Sequence, residues 1–194
     1  CGDVQGMRVL DCCAAPGGKS CHLAELGARE VVAMDRNPRK ARRIEEEARR
    51  LGLDAISVEV GDATVAMPKG KFDLVLVDAP CTSAGTLRRH PELRYRLQPE
   101  DVSRLAQTQA KILDTAAGSV RRGGLLVYAV CSFFPEEGER QIRAFLERHD
   151  RFEPAPIVSD RLVVGEARFI PTRRREREFD SHPRVDQRDC ETGM

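Results

Sequence analysis

Two cysteines stand where a reactive thiol would be useful. Cys81 follows the apolar run Phe72-Asp73-Leu74-Val75-Leu76-Val77 by way of Asp78-Ala79-Pro80, and Cys131 directly follows Leu125-Leu126-Val127-Tyr128-Ala129-Val130. Each run has the composition of a central parallel strand buried on both faces. Open α/β sheets bind ligands outside the carboxyl ends of such strands. A thiolate there can add to an electron-poor carbon and divide one difficult substitution into two easier steps. A lone buried cysteine is ordinarily inert packing; a second one on the same rim is the chemically telling feature.

A second constellation lies near the start of the chain. Val9-Leu10-Asp11-Cys12-Cys13-Ala14-Ala15-Pro16-Gly17-Gly18-Lys19-Ser20 reads as a strand, a tight glycine turn and the opening of a helix. Glycines let backbone N–H groups approach a ligand closely, and a helix N-terminus favours a carboxylate or phosphate. Gly18-Lys19-Ser20 ends like a P-loop, but the glycine required five residues before Gly18 is Cys13. The dinucleotide fingerprint G-x-G-x-x-G is absent as well. Asp11, Asp35, Asp62 and Asp78 close four successive apolar runs and are expected on one rim. Asp35 falls roughly 20 residues after the turn, where an acid commonly accepts from ribose hydroxyls; otherwise it is a solvated loop residue. Asp62 suits either an adenine amino group or the cap of the next turn.

The elements that must carry these residues alternate. Strands are predicted at Met7 to Leu10, Val31 to Met34, Ile56 to Val60, Phe72 to Val77 and Leu125 to Val130. Helices are predicted at Cys21 to Leu26, at Pro38 to about Leu51 with Gly52 as its stop, and at Pro99 to Val120 with Gly123-Gly124 beyond its end. A last helix opens at Phe133–Glu139 and runs to about His149, and Arg168 to Pro171 starts a further strand. Strand–helix–strand alternation implies an α/β fold built on a mostly parallel sheet. Between Cys81 and the third helix, Leu87 to Arg96 carries Arg88, Arg89, Arg94, Arg96 and Tyr95. That composition fits phosphate contacts and base stacking, or else an ordinary exposed loop.

Composition narrows the function. The 194 residues form one domain by length, and 41% hydrophobic with 32% charged residues reads as soluble and globular. A net charge of +1 argues against a protein that coats polyanions generally, though local basic patches remain possible. No apolar run suffices for a membrane span and no signal peptide is visible. Seven cysteines without zinc-type spacing imply reduced thiols in a cytoplasmic protein and no metal centre. Residues 1–171 are expected to form the catalytic domain and 172–194 a polar, flexible tail. The chain begins at Cys1, close to its first strand, so a segment is expected upstream.

The missing phosphate fingerprints favour S-adenosylmethionine, with its carboxylate, amine, ribose and adenine, over a dinucleotide. A thiol beside a methyl donor suits one difficult substrate, carbon 5 of a pyrimidine. Addition of a thiolate at carbon 6 makes carbon 5 nucleophilic enough to take the methyl group, provided that the base has left its stack.

At this point Asp11-x-Cys13-Ala-Ala-Pro-Gly-Gly-Lys19, Asp78-Ala-Pro-Cys81, Arg88-Arg89-His90-Pro91-Glu92 and Tyr128-Ala-Val-Cys131-Ser132 together resemble the Sun-type RNA cytosine-5 methyltransferases, most closely their RsmB-like members. The resemblance runs in order from about Met7 to Phe152. It implies a Rossmann-like doubly wound sheet of the S-adenosylmethionine-dependent methyltransferase type. It implies that Cys13, Ala14, Ala15, Pro16, Gly17, Gly18 and Lys19 line the cofactor site, with Asp35 on the ribose and Asp62 near the adenine. Asp78 would lie between cofactor and target ring, Cys131 would be the nucleophile, and Cys81 would assist product release. The implied substrate is RNA, small-subunit ribosomal RNA first, acted on by a cytoplasmic protein expected to be a monomer. The family's upstream RNA-binding segments have no counterpart in this sequence. Arg173 to Met194 stands where an Asp-Gly-Phe-Phe-like strand is usual, and Thr82-Ser83 where Ser-Gly is common. A tRNA or DNA cytosine-5 methyltransferase, or a non-catalytic RNA-binding or assembly factor on the same fold, are the competing readings.

Overall fold

The computed structural model describes residues 3–155 and 166–171. Seven strands form one sheet, β1 (Arg8–Asp11), β2 (Glu30–Asp35), β3 (Ile56–Val60), β4 (Phe72–Asp78), β5 (Val120–Ala129), β6 (Phe152–Ala155) and β7 (Glu166–Pro171), in the order β3-β2-β1-β4-β5-β7-β6. The first five run parallel, while β7 is antiparallel to both β5 and β6. Among the described residues the α-helices are α1 (Gly18–Glu25), α2 (Pro38–Leu51), α3 (Leu93–Arg96), α4 (Pro99–Ala117) and α5 (Glu139–Arg148).

The central strands form where the sequence is apolar on both faces. Val9, Leu10, Val31, Val32, Leu74, Val75 and Val77 are completely or almost completely buried, as strands covered by helices on both sides must be. Helix α2 shows the opposite economy. Ala41, Ile44 and Ala48 form its one buried stripe, and its charged residues face outward. Its ends follow from local chemistry. Asn37 Oδ1 accepts from the Arg39 and Lys40 amides, Pro38 occupies the first turn, and Gly52 closes the helix at φ 66°.

Chain order fixes where a ligand can lie. The chain winds outward from β1 through β2 to β3, then crosses back to place β4 on the other side of β1. Between β1 and β4 the direction of winding reverses, which opens a crevice at the carboxyl ends of the strands.

Three expectations are corrected. Helix α4 ends at Ala117 rather than Val120, because β5 already begins at Val120. Gly123-Gly124 is not a helix stop but a kink within β5, at a shift of register against β4. A Cβ on Gly124 would stand 2.9 Å from the Asp73 carbonyl oxygen, so the strand needs glycine there. Strand β6 carried no sequence signal, whereas the expected strand at Arg168–Pro171 is the end of β7. The expected tail at 172–194 lies outside the described residues.

Candidate active site

Register sets the depth of each strand-end acid. Asp11 pairs level with Ala33 on β2 and Leu76 on β4, two residues short of Asp35 and Asp78. One full pleat separates it from the rim, and it is buried rather than exposed there. Its Oδ2 accepts from Ser20 Oγ of α1 at 2.7 Å, fastening that helix to the strand end. Burial pushes its carboxyl up to about 6.

Asp35, Asp62 and Asp78 do meet, with Cys13 and Ala15, around one cleft of about 310 Å³ at the β1/β4 switch. Asp35 Oδ1 accepts from the Asn37 amide, and Asp62 Oδ1 accepts from Thr64 N and Oγ1, so Asp62 caps its turn while lining the cleft. The Thr64 bonds hold the Asp62 carboxyl below its ordinary range. Lys19 Nζ on α1 bonds Asp78 at the end of β4 and so bridges the switch point.

The remaining loop residues shape the site rather than wall it. Ala14 is buried with its amide on the Met34 carbonyl, and Gly17 donates to Ala14 O at 2.7 Å. Gly17 adopts φ 108°, and a Cβ there would reach within 3.2 Å of Ile44, so α2 could not pack as it does. Pro16 follows a cis peptide bond, and it and Gly18 are exposed outside the cleft wall. The acceptor carboxylates around the cleft are therefore those of Asp35, Asp62 and Asp78, with Lys19 beside them.

Beyond the cleft the two thiols come together. Cys81 Sγ and Cys131 Sγ are 3.2 Å apart, carried by the turns that follow β4 and β5. The strands end side by side, with Asp78 paired to Ala129, which brings Cys81 and Cys131 to one place. Cys131 is exposed and lies 3.4 Å from Ser83 Oγ, whereas Cys81 is partly buried. Desolvation, then the Cys131 thiol beside it, push Cys81 up to about 11, so it holds its proton at neutral pH. The other described thiols are poor nucleophiles. Cys12 and Cys21 are buried, and burial pushes Cys13 up to about 12.

The segment after Cys81 forms a single 3-10 turn (Ala84–Thr86) and the short helix α3. Arg88, Arg89, Arg94 and Arg96 are all exposed on it, as are Tyr95 and, after Cys131, Phe133. None of those arginines has a carboxylate partner among the described residues.

Two residues escaped sequence reasoning. Glu137 is completely buried behind the thiols, and Gln109 of α4 is completely buried beside it. The available signal was Gln109 itself, a polar residue at the head of the stripe Gln109, Ile112, Leu113, Ala116, Ala117. Glu137 is one acid among several at a helix opening and carried no signal of its own.

Ribosomal RNA small subunit methyltransferase B of Thermus thermophilus is 49% identical over 152 residues, which cover 78% of this chain and 37% of that protein. The chain thus spans little more than a third of that relative's length. The solved structure of NSun6 from Pyrococcus horikoshii with SFG superposes with a TM-score of 0.75 at 26% identity, over 87% of this chain and 48% of that one. A methyltransferase homolog protein from the same organism gives a TM-score of 0.68 at 29% identity, over 79% and 48%. The profile of one family, described as 16S rRNA methyltransferase RsmB/F, matches residues 3–180, from before β1 to beyond β7. The chain belongs to that family.

Proposed function

We propose that this chain is the catalytic part of an RNA cytosine-5 methyltransferase, with small-subunit ribosomal RNA as substrate and the cytoplasm as its place of action. The observation that carries the reading is the pair of thiols 3.2 Å apart beside an acid-rimmed cleft. Two adjacent thiols suit a reaction that must form and then break a sulfur–carbon bond. Family membership and the curated relative's name support ribosomal RNA as the substrate.

S-adenosylmethionine, when bound, supplies an electrophilic methyl group on a sulfonium sulfur. Asp35 would accept from ribose hydroxyls, Asp62 from the adenine amino group, and Asp78, held by Lys19, would face the methionine amine and the target ring. Cys131, the exposed thiol, would release its proton to solvent and add as thiolate to carbon 6 of the cytosine, moving the ring electrons towards carbon 5, which then attacks the methyl group. After methylation carbon 5 must lose its proton before the Cys131–carbon bond can break. Cys81 is placed to take part in that release. To act as that base Cys81 would first give up its own proton to solvent, since desolvation and then the neighbouring Cys131 thiol hold it up at about 11. The exposed arginines and Tyr95 would hold phosphates and stack a base around the flipped nucleotide. Among the described residues, no cluster of acidic, histidine and cysteine side chains could hold a metal ion, and no helix is long and apolar enough to cross a membrane.

The test traps the intermediate. Cys81→Ala, incubated with S-adenosylmethionine and ribosomal RNA, should accumulate a protein–RNA band on a denaturing gel, and adding Cys131→Ala should remove it. Methyl incorporation is compared for ribosomal RNA, tRNA and duplex DNA, and activity retained by Cys131→Ala would refute the assignment.

A further inference from the structure

The two thiol-bearing turns belong to different strands, and something must fix their separation. Behind them lies a polar cluster that the reaction scheme leaves unused. Glu137 Oε1 accepts from the Thr82 amide at 2.9 Å and from Gln109 Nε2 at 3.0 Å, and its Oε2 accepts from Thr82 Oγ1. Thr82 is the residue after Cys81. Its Oγ1 also meets Ser132 Oγ at 3.1 Å, and Ser132 is the residue after Cys131. Gln109 Nε2 also donates to the Pro80 carbonyl at 3.0 Å, on the other side of Cys81. That nitrogen faces two acceptors, so the amide orientation is determined by its partners. The backbone of Glu137 is itself anchored, because its carbonyl accepts from Tyr128 Oη of β5 at 2.6 Å. Cys81 is therefore held through both neighbours, Thr82 by the carboxylate itself and Pro80 by the Gln109 amide bonded to it, and Cys131 through Ser132 by way of the Thr82 hydroxyl.

We propose that Glu137 is a positioning residue, holding the Cys81 and Cys131 turns at the separation the two-thiol reaction requires. The proposal rests on the two-thiol reading given above. Three acceptor contacts to a fully buried carboxylate define one geometry, since any displacement leaves a desolvated polar group unpaired. A simple packing role would be met equally well by an apolar side chain of the same size. The alternation of donors and acceptors from Pro80 through Gln109, Glu137 and Thr82 to Ser132 has a further consequence: it ties movement of one thiol to movement of the other.

The experiment measures thiol separation in the intact chain without RNA. In a glutathione redox buffer, one thiolate attacks oxidised glutathione and releases one reduced glutathione. The second thiol then loses its proton, attacks the mixed disulfide and releases the other. The equilibrium amount of Cys81–Cys131 disulfide, read by mass spectrometry of the linked peptide, gives the effective concentration of one thiol at the other. Glu137→Met keeps the volume and removes all three acceptor contacts. Glu137→Gln keeps an acceptor at Oε1 and lets the Thr82 hydroxyl turn to receive its NH2. Thr82→Val removes the hydroxyl link between the turns, and Thr82→Ser retains it. Glu137→Met and Thr82→Val should lower the effective concentration by about tenfold or more, with Glu137→Gln and Thr82→Ser close to the parent. In turnover, the first pair should lose kcat while KM for S-adenosylmethionine is unchanged, and loss of stability alone would not move either readout in the folded fraction. A folded Glu137→Met with the parent's effective concentration overturns the proposal; if that variant does not fold, Thr82→Val decides in the same way. A parent chain with closely coupled thiols that methylates no RNA overturns the functional reading and leaves the positioning role standing.

Discussion

Replacing Asp11 by asparagine should make the protein more stable, and by an amount that depends on pH. The carboxyl is fully buried one pleat below the rim, and burial raises it from an ordinary 3.8 to about 6 in spite of the Ser20 hydrogen bond. At about 1.4 kcal/mol for each pKa unit, keeping this group ionised within the fold costs roughly 3 kcal/mol relative to the unfolded chain. The folded value is the higher one, so the folded state binds the proton more tightly. The cost is fully present above about pH 6 and is lost as the pH falls towards about 4, where both states are protonated. Asp11→Asn removes the charge and keeps an oxygen to accept from Ser20 Oγ. It also deletes the attraction between Asp11 and Lys19 and relieves repulsion from Asp78, two effects that oppose each other. Allowing about 1 kcal/mol at every pH for an imperfectly satisfied amide, the variant should gain about 2 kcal/mol at pH 8 and lose about 0.5 kcal/mol near pH 4. Urea unfolding at pH 4.5, 6 and 8 measures this directly. A variant that is less stable at pH 8, or a gain that does not change with pH, would refute the reasoning.

Two further outcomes follow from single features of the site. Ser83 is the one non-glycine residue with positive φ among the described residues, at 59°, so Ser83→Gly should stabilise the fold by about 0.5–1 kcal/mol; thermal unfolding that moves the other way would show that its contact with Cys131 matters more. Arg88→Gln with Arg89→Gln should make the logarithm of RNA affinity fall less steeply with the logarithm of salt, by about 1.4 in slope, while cofactor affinity is unchanged. An unaltered slope in anisotropy titrations would put these arginines off the RNA path.

The legibility of the sequence divides along physical lines. Four of the five parallel strands were readable because burial on both faces leaves an almost unbroken apolar run, as in Val75-Leu76-Val77, whereas β3, at the sheet edge, has no buried residue. Strand β6, Phe152–Ala155, was not, because only Phe152 of its four residues is buried. Gly123-Gly124 misled because a glycine pair after a helical pattern commonly marks a stop, whereas here the requirement is steric, set by the carbonyl of Asp73 on the neighbouring strand. Asp11 was expected on the rim with the other acids because all four close apolar runs. Depth is a matter of register, and pairing Asp11 with Leu76 rather than Asp78 is a property of the sheet, not of any local stretch. The thiols were legible as types and positions, but their contact depends on β4 and β5 being neighbours. Glu137 was least legible of all, since Glu136 and Glu139 beside it are ordinary surface acids paired with Arg140 and Arg143.

Under the proposed reaction a pair of thiols would divide two tasks between two side chains. In that scheme the sulfur that attacks must later be expelled, and a second group has to move the proton at carbon 5. Cys81 is partly buried and held up at about 11, so in the proposed scheme it would not compete with exposed Cys131 for the ring at neutral pH. The same burial makes Cys81 a stronger base once it is deprotonated. Two equally exposed thiols would share the first step and leave neither suited to the second. The difference in burial arises from the strand ends: Cys81 is enclosed by the turn that Glu137 and Gln109 grip, whereas Cys131 opens to solvent beside Ser83. In the proposed scheme the two roles would thus divide according to the packing of two adjacent turns.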